Sequence, residues 1–432
     1  MRILLLGAYG FIGSAIAREL VSRGHHVTGL GRDTSYGRRI LPQLEWITAD
    51  LSRMTRGEQW RPLLNGNDVV VNASGLLQSG EGGSVEAVQL HSIGALVEAC
   101  EAGGVRRLVQ ISAAGADPEA RSDFMATKAQ ADALVEASAI PSLIVRPGLV
   151  VGRNSYGGTD LIRFAAAVPL ILRFPFHRPI QCIALADVVD AVAGALDPDK
   201  GQTGCFDLVE RQGHSLDAIV GAYRQWLGLP EPRWSLRIPK WLIRLASRTA
   251  DLLGHLGWRL PLRRNALMAL EAGVEGDADQ SAELLGREPL TLGAALELQP
   301  AGKQDRLYAR LGLVQPLMLA ALIVMWAGSG AATLLQLDKA TAIMSESGIG
   351  EASARAIAIG GGWIDVLLAA GLLWRPTVRP ALAAMIVLTI FVYLIGGTML
   401  VPQLWIDPLA PFAKALPATL LALLAYWTLE RR

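Results

Sequence analysis

Ile3, Leu4, Leu5 and Leu6 form an unbroken apolar run that stops at Gly7, and Ile16, Ala17, Leu20 and Val21 then recur at helical spacing. The run predicts a strand buried on both faces, and the recurrence predicts a helix over Ser14 to Ser22. The same alternation continues downstream. Strands are expected at His26 to Leu30, Leu44 to Ile47, Asp68 to Asn72, Arg107 to Ser112 and Ser142 to Val145. Helices are expected at Val85 to Ala102 and Ser122 to Leu134. Strands and helices alternating over short connections predict an α/β fold with a doubly wound parallel sheet. Ile180 to Val189 and Cys205 to Val209 suggest further strands in a smaller, substrate-side region. Asp187, ahead of Val188 and Val189, reads as the N-cap of a helix reaching Leu196.

The pattern changes after residue 300. Gln299 to Arg310 is polar and basic, and 301–310 is the expected linker between a 1–300 domain and a 311–432 domain. Four apolar stretches follow, at about Leu311 to Leu335, Ala356 to Trp374, Val378 to Val401 and Pro411 to Leu429. Each is near the roughly 20 residues that cross a bilayer as a helix, so the second domain is expected to be an all-α, four-helix membrane domain. Lys303, Arg306 and Arg310 precede the first stretch, Arg375 and Arg379 lie between the second and third, and Arg431 and Arg432 end the chain. By the positive-inside rule these regions, the N-terminal domain and the C-terminus are expected on the cytoplasmic side of an inner membrane. Between the domains, Pro239 to Gly254 interleaves Trp241, Leu242, Leu245 and Leu252 with Lys240, Arg244 and Arg248. That pattern suits an amphipathic helix on a membrane surface, or a helix packed on the first domain.

Composition narrows the function classes. Over 432 residues the hydrophobic share is 51%, most of the excess lying in the last third. The net charge of +1, with no long basic run, gives no reason to expect nucleic-acid binding. Cys100, Cys182 and Cys205 are scattered, which suits a reducing compartment and offers no metal site. The first strand begins at Met1, so no cleaved signal peptide is expected.

The glycines carry the chemistry. Gly7, Gly10 and Gly13 fall between a strand and a helix start, where free backbone N–H groups and the helix dipole favour an anion such as a pyrophosphate. The end of the second strand faces the adenosine ribose in such folds. An arginine there suits a 2′-phosphate and an acidic residue suits a 2′-hydroxyl. Gly31 and Arg32 occupy the place, so NADP(H) is the preferred cofactor and NAD(H) the other, with Asp33 taking the ribose if Arg32 is only a loop residue. Ala73, Ser74 and Gly75 leave room for a flat cofactor, and Ser112 stands at the exit of the fifth strand. His91 is a lone helical histidine, in most proteins a packing or surface residue. Asp365 lies within the second apolar stretch, where a carboxyl group is costly and has either a task or a partner, for instance Ser329.

The ordered pieces Gly7-x-x-Gly10-x-x-Gly13, VVVNASG (69–75), SAAGADPEARSDFMATKAQAD (112–132), IVRPGLVVG (144–152) and ALADVVDAV (184–192) resemble the atypical and extended short-chain dehydrogenase/reductases. The nearest branch contains the NAD(P)-binding accessory subunit of respiratory complex I. The resemblance implies a Rossmann domain over about residues 1–300. It implies cofactor contacts from Gly7, Tyr9, Gly10, Phe11, Ile12, Gly13, Arg32, Asp50, Leu51, Ala73, Ser74, Gly75, Lys128 and Pro147. Active members pair a proton-donating tyrosine with a lysine four residues later and a serine that positions the substrate carbonyl. Ser112 and Lys128 match as catalytic residues; the tyrosine position is Phe124, which has no ionisable group. Tyr156 is a possible substitute hydroxyl. WAGSG (326–330), WIDVLLAAG (363–371) and WIDPLAPFAKALP (405–417) resemble the DoxX-like four-helix membrane proteins. The two resemblances together imply a membrane-anchored oxidoreductase using a hydrophobic or quinone-like acceptor, with the lipid bilayer and a membrane redox complex as partners. The competing reading is a non-catalytic cofactor sensor or assembly subunit. An epimerase of the same fold also needs the missing acid/base group.

Overall fold

The structure, a computed structural model, describes residues 1–432 except 78, 80–82, 155–156, 198–200, 259, 261–263, 409 and 430–432. Tyr156, Arg431 and Arg432 therefore lie outside the described residues. The chain divides into two compact units, Met1–Asp251 with Leu260–Leu307, and Leu252–Arg259 with Tyr308–Arg432.

The first unit begins β1 (Arg2–Leu6), α1 (Phe11–Ser22), β2 (His26–Gly31), α2 (Thr34–Ile40) and β3 (Glu45–Thr48). It continues with α3 (Gly57–Leu64), β4 (Val69–Asn72), α4 (Ser92–Gly103), β5 (Arg107–Ile111), α5 (Asp123–Glu136) and β6 (Ser142–Pro147). Then come β7 (Leu149–Val151), α6 (Gly158–Ala167), β8 (Ile171–Arg173), β9 (Ile180–Ala184), α7 (Leu185–Ala195) and β10 (Gly204–Leu208). The seven-stranded sheet has the order β10-β6-β5-β4-β1-β2-β3, with every neighbour parallel. The order reverses between β1 and β4, the switch point at which such sheets bind ligands. Ile3, Leu4, Leu5 and Leu6 are fully buried, their side chains alternating between the two cores on either side of the sheet. A strand covered on both faces has no polar side, which is why β1 reads as a continuous apolar run.

Three expectations are corrected. The segment Cys205 to Val209 belongs to the main sheet as edge strand β10, rather than to a separate substrate-side region. The strand expected over Ile180 to Val189 ends at Ala184, which is itself the N-cap of α7. Asp187 is not the cap. It is fully buried and ion-paired to Arg287 at 2.7 Å, and it accepts the Leu290 N–H at 2.8 Å. Its apolar neighbours Val188 and Val189 made a helix start there plausible, but the carboxylate serves a clamp 100 residues away in sequence, and pairwise spacing carries no record of that.

The rest of the first unit includes β11 (Gly213–His214), α8 (Leu216–Trp226), β12 (Ser235–Arg237), α9 (Lys240–His255, whose residues from Leu252 onward fall in the second unit), α10 (Arg264–Ala272), α11 (Ala278–Leu285) and α12 (Leu292–Glu297). Glu210 ties it together: its buried carboxylate accepts the Cys182 N–H at 3.2 Å and the Leu292 N–H at 2.9 Å.

The second unit is helical: α13 (Lys303–Leu335, which begins in the first unit), α14 (Leu337–Glu346), α15 (Glu351–Gly371), α16 (Val378–Val387), a π-helical stretch (Leu388–Gly396), α17 (Gly397–Leu400) and α18 (Pro411–Thr428). Among the described residues three helical segments, Lys303–Leu335, Glu351–Gly371 and Arg375–Leu400, are long and apolar enough to cross a membrane. The fourth expected span corresponds to α18, whose 18 residues include Lys414 and Pro417. Met318, Leu322, Trp326, Leu372, Leu382, Met385 and Ala425 form the bundle core, while Val324, Leu367, Phe391, Met399 and Trp427 stay exposed. Helices apolar on both their inner and outer faces are those that lipid surrounds. α13 and α15 approach closely at Gly330 and Gly362: a side chain on Gly330 would meet the Gly362 carbonyl oxygen at 2.5 Å.

Candidate functional site

The residues singled out in the first domain gather along one edge of the sheet, where its strands end. Gly7 follows β1, Arg32 follows β2, Asp50 and Leu51 follow β3, Ala73 to Gly75 follow β4, Ser112 follows β5, and Pro147 closes β6. Local geometry at the first of these is strict. Gly7 has φ of +71°, and a Cβ there would lie 2.8 Å from the Ala73 carbonyl oxygen. A Cβ on Gly13 would overlap the Gly7 carbonyl. The two glycines thus let β1, α1 and the β4 exit converge in a turn that no side chain could enter. Gly10 is the N-cap of α1 and provides no side-chain acceptor, so no side chain satisfies the first-turn amides of Phe11, Ile12 and Gly13 at the positive end of the helix. This cradle could hold a dinucleotide's pyrophosphate.

The neighbouring loop is held by Tyr9. Its hydroxyl oxygen accepts the Arg32 N–H at 3.2 Å and the Asp33 N–H at 3.3 Å, which fixes the start of α2. Asp33 caps that helix, its carboxylate accepting from Tyr36 N at 3.0 Å and Ser35 Oγ at 2.5 Å, and these bonds lower its pKa. Asp33 is therefore engaged as a helix cap, and Arg32, just after β2, is exposed. Asp50 likewise caps a short turn, accepting from Ser52 N and Oγ. Asn72 donates to Gln110 at 2.8 Å and accepts the Ser74 N–H at 3.0 Å, which shapes the Ala73 to Gly75 exit.

α5 carries Lys128 inward. Its buried ammonium donates to the Ile111 carbonyl at 2.7 Å and the Ser74 carbonyl at 3.4 Å, spanning the ends of β5 and β4. Burial lowers its pKa from 10.5 to about 8, and the charge of Asp132 opposes that shift. Ser112 donates its hydroxyl proton to Asp132 at 2.7 Å, and Arg146 donates to the same oxygen at 2.8 Å. Asp132 is fully buried, and desolvation raises its pKa against the pull of these two donors. Sequence reasoning passed over Asp132 and gave Arg146 no role. The available signal was a carboxylate one helical turn after Lys128 on an alanine-rich face. Phe124 is half-buried on the same helix. His91 is exposed and pairs with Glu86 at 3.4 Å. Burial raises the Cys100 and Cys205 thiols to about 12, so neither is a nucleophile at neutral pH.

A second polar cluster lies inside the helical unit. Asp365 on α15 is 3% exposed and accepts the Tyr393 hydroxyl at 2.7 Å, with Ser329 of α13 also hydrogen-bonded to it. Trp326 packs edge-on against Tyr393. Ser329 is the partner weighed from sequence; Tyr393, on the π-helical stretch, was not anticipated. A π-helical stretch shifts the helix register, so side-chain direction there does not follow the 3.6-residue period.

Comparison with known proteins agrees with both halves. Residues 7–163 match the NAD(P)H-binding family and residues 321–424 match the DoxX-like family. Sterol demethylase protein B of Methylococcus capsulatus is 26% identical over 333 residues, covering 68% of this chain and 96% of that protein. The 40 kDa subunit of NADH-ubiquinone oxidoreductase from Neurospora crassa is 28% identical over 211 residues, covering 47% of this chain and 54% of the subunit. A structure of UDP-glucuronic acid 4-epimerase from Bacillus cereus with UDP-glucuronic acid and NAD superposes with a TM-score of 0.52 at 17% identity, covering 73% of this chain and 100% of that one. That likeness is one of fold.

Proposed function

We propose, for a chain that joins an NAD(P)-binding, short-chain dehydrogenase/reductase-like domain to a DoxX-like membrane domain, that it passes hydride equivalents between NADP(H) and a hydrophobic or quinone-like acceptor at the membrane. The observation that carries this reading is the uncapped helix start at Gly10, beside the Gly7 turn that packs against the β4 exit, joined in one chain to membrane-length helices. In this reading the amides of Phe11, Ile12 and Gly13 bind the pyrophosphate. Tyr9 holds the loop that presents Arg32 to a 2′-phosphate, and Leu51 and Asp50 border the adenine. Ala73, Ser74, Gly75 and Pro147 flank the cofactor, and Lys128 donates to its ribose hydroxyls. The bound dinucleotide supplies or accepts a hydride at its nicotinamide ring. Phe124 cannot deliver the accompanying proton. An acceptor that takes protons from water, as a quinone does, therefore fits better than a carbonyl compound. Two relatives are named for molecules of the hydrophobic class, a sterol and ubiquinone.

The membrane placement belongs to the same proposal. The domains are 1–300 and 311–432, and the 301–310 junction between them is, from Lys303 on, the start of α13 rather than an extended linker. α18, about 27 Å long, is the fourth span beside a hydrocarbon core of about 30 Å. The N-terminal domain and the C-terminus are cytoplasmic at an inner membrane, with a membrane redox complex as the partner. A second reading, a non-catalytic cofactor sensor or assembly subunit, is favoured by Phe124 and by the engagement of the Ser112 hydroxyl with Asp132.

Fluorescence titration of the full chain in detergent tests the cofactor half. NADPH is expected to bind at least tenfold more tightly than NADH. Arg32→Ala is expected to remove that preference, a loss of about 1.5–3 kcal/mol for a charge-assisted phosphate contact. Equal affinities unaffected by Arg32→Ala would reject the NADP(H) assignment, and no binding of either would reject the oxidoreductase reading.

A further inference from the structure

We infer that α9 is an interfacial helix, lying with one face in the headgroup region of an anionic bilayer leaflet. Its polarity is inverted for a helix that merely packs on a soluble domain. The residues it turns inward, Ile243, Ser247 and Ala250, recur at helical spacing and include one small and one polar side chain. Its bulky apolar residues point outward: Trp241 is 64% exposed, Leu245 53% and Leu252 66%, with Leu242 beside them. At 100° per residue this outer stripe sits almost opposite the buried one.

Charge identifies the occupant. Lys240, Arg244 and Arg248 are all exposed and form a row at four-residue spacing along one edge of the apolar stripe. Lys240 directly precedes Trp241, and Arg244 directly precedes Leu245. Tryptophan at headgroup depth, leucine just below it and long cationic side chains reaching back to phosphate make up an interfacial helix. A protein partner would require its own acidic, apolar surface, whereas an anionic leaflet offers both properties to a chain whose later helices already need a membrane. Trp234 and Leu236, just ahead of the helix, are exposed as well. The inference needs the membrane-length segments α13, α15 and Arg375–Leu400 in a bilayer but no enzymatic activity, so its failure would leave the proposed reaction untouched.

The test places a nitroxide on Leu245→Cys, and separately on the exposed α5 position Gln130→Cys, in the full chain with Cys205→Ser, reconstituted in nanodiscs containing phosphatidylglycerol. At Leu245 the ratio of collisions with oxygen to collisions with a water-soluble nickel chelate is expected to be several-fold higher than at Gln130. Reversing the basic row (Lys240→Glu, Arg244→Glu, Arg248→Glu), or replacing phosphatidylglycerol by phosphatidylcholine, is expected to lower the ratio at Leu245. A Leu245 probe as open to the nickel chelate as the Gln130 probe would overturn the inference by placing the face in water. A probe shielded from both reagents would overturn it by placing the face against protein. If the charge-reversed chain does not fold, the lipid exchange carries the charge arm alone.

Discussion

Asp132→Ala is expected to destabilise the nucleotide-binding unit by about 3–5 kcal/mol, the usual cost of removing one partner from a buried ion pair. The carboxylate is fully buried and receives both the Ser112 hydroxyl and the Arg146 guanidinium. Its removal leaves the Ser112 hydroxyl buried without its acceptor and Arg146, whose side chain is 26% exposed, without its counter-charge. The same change removes the one carboxylate whose charge opposes the desolvation of Lys128. Hydrogen exchange reads the loss locally: protection of the β5 and β6 amides should fall by about two to four orders of magnitude. Asp132→Asn retains an acceptor for Ser112 and should cost less than half as much. Protection within tenfold of the native chain in Asp132→Ala would show that the pair contributes little and that Ser112 is held by something else.

Gly10→Glu is expected to weaken dinucleotide binding by more than about a hundredfold, roughly 3 kcal/mol, while leaving the fold intact. Gly10 has an ordinary φ of −72°, and a Cβ there would meet only the Gly7 carbonyl oxygen, at 3.1 Å. A side chain there is tight against that backbone oxygen but far less so than at Gly13, and a carboxylate at the helix start would occupy the positive end of α1 and repel the pyrophosphate. Gly13→Ala provides the contrast. Its Cβ would overlap the Gly7 carbonyl, so that variant should lose stability as well as binding. Calorimetric titration beside a thermal scan separates the two outcomes. Undiminished affinity in Gly10→Glu would remove the pyrophosphate from this turn.

What could be read from sequence follows from the range of the forces involved. β1 and its glycine turn were legible because a buried strand, a forced positive φ and an uncapped helix start are all written within twelve consecutive residues. The membrane segments were legible because lipid acts on each helix separately. Contacts across the chain were not. Asp187 looked like a helix cap until its partner Arg287 was placed beside it, and Asp132 had no evident purpose before Ser112 and Arg146 converged on it. Tyr393 was hidden for a different reason, since the π-helical stretch from Leu388 displaces it from the face that a regular helix would predict. Cys205 to Val209 was recognisable as a strand, but an edge position in the main sheet is decided by pairing with β6, which local pattern does not encode.

The central claim, that nucleotide chemistry in the first domain is coupled to an acceptor in the membrane, is tested most directly by turnover. The full chain in lipid nanodiscs would be mixed with NADPH under anaerobic conditions, with and without a lipophilic quinone. The account predicts NADPH oxidation that requires the quinone and is abolished by Gly10→Glu. Tight NADPH binding with no oxidation by the quinone or other lipophilic acceptors would contradict it and favour a cofactor-bound sensor or assembly subunit.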